Sequence, residues 1–107
     1  MTMEPVLLKL TEAQNNFDAP AYANCFTQDA IVHDEGKTHQ GREAIEQWID
    51  AANKKYRATM KPLNFTLRHD EGILTAETAG NFPGSPAVLT YQLTFKDGLI
   101  SALTVTG

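Results

Sequence analysis

Asp34 closes the β-prone run Ala30-Ile31-Val32-His33-Asp34, and a carboxylate at that place can do chemistry. If Val32 faces an apolar cleft, the period of two puts Asp34 on the same face. Burial there disfavours the charged carboxylate, so the group can take and return a proton near neutral pH. The other reading open to Asp34 is that it begins the turn at Glu35-Gly36, as Asp often does. His33 and His39 flank it. Alternation turns His33 to the opposite face, toward solvent or a subunit interface, while His39 is placed to shuttle a proton or orient Asp34. The spacing of the two histidines is weak as a metal signal, because zinc asks for three protein ligands and an orienting shell. Tyr91 lies between Leu89 and Leu93 on the apolar face of a later alternating run. A buried phenol needs a partner, which a ligand oxygen, the backbone or water can supply.

Other polar residues invite less. Glu77 and Asn81 share the parity of Ile73, so one of them can line a cleft, although an exposed sheet face is the default for Glu77. His69 reads as a solvated strand end. Cys25 sits on an apolar helical stripe with no adjacent base and reads as a small buried hydrophobe.

The positioning elements follow from periodicity. Val6, Leu7, Leu10, Ala13 and Phe17 recur at helical spacing and predict a helix over 4–16. Asp18-Ala19-Pro20 reads as a second helix start, with Ala21, Tyr22, Cys25 and Phe26 as its buried stripe. Gly41 precedes a third helix, whose face is Ala44, Ile45, Trp48, Ile49, Ala52 and Tyr56. From about residue 58 the period changes to two, and four strands follow: around Leu63 to Leu67, Ile73 to Phe82, Leu89 to Phe95 and Leu99 to Thr106. The order is helix, helix, strand, helix, then four strands joined by tight turns. Such segregation predicts an α+β domain, an antiparallel sheet with helices on one face.

Composition sets the bounds. One domain accounts for 107 residues. A formal charge of −4, with no basic cluster denser than Lys54, Lys55, Arg57 and Lys61, argues against a nucleic-acid partner. A single cysteine excludes an internal disulfide. No signal-peptide pattern and no stretch near the roughly 20 apolar residues of a membrane span is present, so a cytoplasmic location is expected.

Residues 18–50 carry a resemblance. DAPAYANCFTQDAIVHDEG followed by THQGREAIEQW resembles the NTF2-like superfamily, in particular its SnoaL-like and ketosteroid-isomerase-like small domains. The resemblance extends over essentially the whole chain. It implies a cystatin-like cone, a curved antiparallel sheet wrapped around three N-terminal helices. The pocket wall it implies includes Leu10, Phe26, Val32, Trp48 and Tyr56. In the ketosteroid isomerase branch the first strand ends in the general base, and ungapped counting places Asp34 there. The same comparison puts Tyr91 where that branch holds the substrate oxyanion, while the first-helix Tyr of that branch falls at Leu10 and is missing. A polyketide cyclase of the SnoaL type implies an acid on a late strand, yet residues 86–107 hold only Asp97, in a turn.

The expected function is binding of a small apolar carbonyl or hydroxyl compound, with cofactor-independent acid/base chemistry of isomerase or dehydratase type. Asp34 is the expected base, with His39 and Tyr91 assisting. The alternative is a noncatalytic ligand-binding or assembly module using the same cone. The outer sheet residues Val88, Thr90, Gln92, Thr94, Ile100, Ala102, Thr104 and Thr106 are uncharged, which predicts a homodimer with Thr90, Gln92 and Thr104 near its centre.

Overall fold

In the computed structural model, which describes residues 1–107, three helices precede or interrupt a six-stranded sheet. Helix α1 spans Pro5–Asn15 and opens on proline, whose missing N–H costs nothing in a first turn. Helix α2 spans Ala19–Ala23, and the Asp18 carboxylate accepts the Ala21 N–H at 3.1 Å. Phe26 does not continue that helix. It starts strand β1, Phe26–Asp34, four residues before the β-prone run.

Strand β2, Lys37–Gln40, forms a hairpin with β1. Its polar sequence carries no apolar alternation, which is why the pattern does not announce it. Glu35 and Gly36 make the turn at φ 53 and 73. Gly41, at φ 91, leads into helix α3, Arg42–Tyr56. Glu43 in its first turn and Lys54 and Lys55 in its last suit the helix dipole. The Arg42 guanidinium donates twice to the Phe26 carbonyl, at 3.1 and 2.6 Å, and ties α3 to the start of β1.

Strands β3 (Thr59–Arg68), β4 (Glu71–Ala79), β5 (Ala87–Lys96) and β6 (Leu99–Thr106) complete the sheet in the order β2-β1-β6-β5-β4-β3. The β1–β6 pairing is parallel, so the sheet is mixed and not wholly antiparallel. The end of α1 is stitched to the edge strand. Asn15 donates to the Met60 carbonyl at 3.1 Å and accepts its N–H at 2.8 Å, standing in for a strand partner.

Two parities differ from the alternation read in the sequence. In β4 the inward residues are Leu74, Ala76 and Thr78, while Ile73 is 48% exposed. Leu74 pairs with Tyr91 and Ala76 with Leu89, so the apolar face of β5 sets the face of β4. In β6 the register shifts opposite Thr94 and Phe95, which turns Ile100 inward to full burial. Ile100 therefore leaves the outer face, whereas Ala102 and Thr104 remain on it. Between helices and sheet lies one core, with Leu7, Leu10, Phe26, Val32, Ile45, Leu74, Ile100 and Leu103 fully buried.

Candidate active site

The open end of the curved sheet leaves a cavity of about 530 Å³ between α3 and the strands. Trp48, Asn53 and Tyr56 of α3 form one wall, and Thr78, Leu89 and Tyr91 form the other. Tyr22 and Asp34 complete it from α2 and the end of β1. Its volume falls within the range of small-molecule sites.

Asp34 is half-buried here. Burial pushes its carboxyl above the usual carboxylate range, and the neighbouring Glu35 carboxylate adds to that effect. A hydrogen bond from Trp48, the charge of His39 and the Glu35 N–H act in the opposite direction. His33 points the other way, as alternation predicts, and its Nδ1 lies 3.0 Å from Thr38 Oγ1. His39 is absent from the cavity wall. It stacks on Trp48 with ring centroids 5.4 Å apart, so it supports the indole that holds Asp34.

Tyr91 faces the cavity as expected, and Tyr22 joins it. The Tyr22 ring packs edge-on against Trp48, centroids 6.1 Å apart. Burial raises the Tyr22 phenol well above its ordinary value, and Tyr91, Cys25 and Asp34 raise it further. Tyr91 is raised chiefly by burial and also by Asp34, against an opposing effect of Thr78. Both phenols thus keep their protons at neutral pH and are available as donors. Tyr22 reads from sequence only as part of an apolar stripe, and its hydroxyl was the one signal pointing further.

Of the expected wall residues, Trp48 and Tyr56 line the cavity, and the Tyr56 hydroxyl donates to Glu35 Oε1 at 3.2 Å. Leu10, Phe26 and Val32 do not. All three are fully buried in the core cluster. Glu77 is exposed on the outer face, and Asn81 lies in the loop after β4, donating its N–H to the Tyr56 carbonyl at 2.7 Å. Cys25 lies outside this cavity. Burial lifts its thiol to about 11, with Lys9 opposing, which suits the inert hydrophobe expected.

Sequence comparison decides the family. The model of the SnoaL-like domain matches residues 7–103. The chain belongs to the SnoaL-like domain family. None of the curated proteins matches the sequence. Among solved structures, this SnoaL-like chain is 38% identical to a Sinorhizobium meliloti protein provisionally named a polyketide cyclase. The alignment covers 97% of this chain and 95% of that one, at a TM-score of 0.93. A Catenulispora acidiphila protein with a ketosteroid isomerase-like fold, solved with trimethylamine, is 18% identical at a TM-score of 0.89, covering 99% and 87% of the two chains. A cystatin-fold protein from Novosphingobium aromaticivorans is 15% identical at 0.81, covering 100% and 99%. These two show the fold alone, and they agree with the cone. No three His, Cys, Asp or Glu side chains in this SnoaL-like domain gather as a metal site requires, and no helix is long and apolar enough to cross a membrane.

Proposed function

We propose that the protein binds a small, largely apolar carbonyl or hydroxyl compound and moves a proton on it without a cofactor. One observation carries this reading: a carboxylate with a raised pKa shares an apolar cavity with two protonated phenols. Asp34 is the base. It takes a proton from the carbon beside the carbonyl, and Tyr22 and Tyr91 donate to the oxygen as negative charge develops there. Return of the proton to another carbon gives an isomer, and loss of a β-hydroxyl gives a dehydration product. His39 acts as a positioning residue through Trp48. The late strands offer no acid besides Asp97, in the β5–β6 turn, so a cyclase reading taken from the Sinorhizobium meliloti protein finds less support than the Asp34 reading.

The outer face of β5 and β6 supports a homodimer. Gln92 pairs with Thr104 and Thr90 with Thr106 across it, without a charge among them.

The test is Asp34→Asn, which keeps the size of the side chain and removes the base. Turnover of an apolar ketone or β-hydroxy ketone found by screening falls about 10²–10⁴-fold, the usual value of a positioned base. Full activity in the variant overturns the reading. Ligand-dependent thermal shifts that survive Asp34→Asn, with no turnover in the wild type, favour the noncatalytic module instead.

A further inference from the structure

Two buried polar atoms on the cavity wall have no partner in the protein: Asn53 Nδ2 and Thr78 Oγ1. Their residues are 5% and 6% exposed. The Thr78 hydroxyl lies close enough to Tyr91 to favour its ionised form, but the two do not reach hydrogen-bonding geometry. Buried polar groups are normally bonded, so two exceptions in one cavity call for a physical reason.

The orientation of Asn53 is fixed by chemistry. Gln14 Nε2 donates to the Ala58 carbonyl at 2.7 Å and to Asn53 Oδ1 at 3.2 Å. A carbonyl can only accept, so the nitrogen of Gln14 must face Ala58, and its second proton then selects the oxygen of Asn53. The Asn53 amide nitrogen is left with its protons directed away from Gln14. Thr78 belongs to the same end of the cavity, because its strand partner across β3 is Met60, two residues beyond Ala58.

We infer that Asn53 and Thr78 form an oxygen-binding subsite, which requires the ligand to carry a hydroxyl or carbonyl in addition to the oxygen that meets Tyr22 and Tyr91. The ligand is thus a doubly oxygenated compound with an apolar body. A hydroxyl fits best, since it accepts from the Asn53 amide and can donate to the Thr78 hydroxyl. This inference rests on the cavity being the binding site proposed above, but not on Asp34 acting as a base.

The probes are trans-decalone and the hydroxydecalone that bears its hydroxyl on the same ring as the ketone. Both absorb only weakly in the tryptophan range, through the forbidden transition of the ketone, and Trp48, the one tryptophan, lines the cavity. Its fluorescence therefore reports binding to the full-length protein. Wild type binds the hydroxydecalone about tenfold more tightly than the decalone, the value of satisfying a buried donor. Asn53→Leu and Thr78→Val each bring that ratio toward one. Thr78→Val removes only an unpaired hydroxyl and keeps the shape, so it folds even where Asn53→Leu does not. A fall of the ratio in either variant supports the subsite. Equal binding by wild type, as when water alone serves these atoms, or an unchanged ratio in both variants overturns it. A wild type that binds neither compound overturns both the subsite and the cavity reading. A preserved ratio with no Asp34-dependent turnover overturns only the chemistry.

Discussion

Replacing Gln14 with leucine removes one side-chain nitrogen from beneath the cavity while nearly conserving volume. Two acceptors lose their donor: Asn53 Oδ1 and the Ala58 carbonyl. The first is buried, so leaving it unpaired costs about 1–3 kcal/mol, whereas the half-buried Ala58 carbonyl regains water and costs about 1 kcal/mol. The sum, about 2–4 kcal/mol, lowers the midpoint of a domain this size by roughly 10–20 °C. Calorimetry with parallel urea unfolding measures it, and an unchanged m-value shows that the unfolded chain is not altered. There is a second effect. Without Gln14 the Asn53 amide is free to turn over, so the preference for hydroxydecalone weakens in the same variant. A loss below about 1 kcal/mol refutes the orienting role, because it means that both acceptors are as well served without Gln14.

Asp34 couples stability to pH. Its carboxyl is raised in the folded chain, so the folded state holds a proton that the unfolded state has already released. Stability therefore falls as pH rises from the ordinary carboxylate range through the folded titration of Asp34, and then levels. Urea unfolding across pH shows this slope in wild type and its absence in Asp34→Asn, which is the more stable protein at neutral pH; parallel curves count against the burial argument. On the outer face, sedimentation equilibrium at micromolar concentration gives a dimer for wild type and a weaker one for Gln92→Glu, which brings two like charges near the two-fold axis. A wild type of monomer mass rejects that interface.

Much of this was legible in the residues. The inward parity of Asp34 followed from Val32, and that of Tyr91 from Leu89 and Leu93, because strong alternation fixes a face. Where alternation is weak, tertiary packing chose. Ile73 turned outward because Leu74 and Ala76 fit the inner face of β5, and with them Thr78 turned inward. The polar end of the cavity was illegible for the same reason. Gln14 and Asn53 sit on helical stripes where a polar residue reads as solvated, and only their mutual bond across 39 positions explains their burial. The Lys37–Gln40 strand was hidden because an exposed edge hairpin buries no apolar face.

The parallel pairing of β1 with β6 has a consequence in time. Phe26 lies opposite Ile100, and the β1–β2 hairpin joins the rest of the sheet through β6 alone. A ribosome adding about 5–20 residues per second reaches that strand on the order of ten seconds after β1 has left the decoding centre. Until then β1 has only local neighbours, and closing so long a loop is entropically slow. The strands β3 to β5 pair with their neighbours in sequence, whereas the segment bearing Asp34 waits for a distant one. Assembly of the sheet ends where its chemistry begins, and the nascent chain carries an apolar strand with an unpaired edge in the interval.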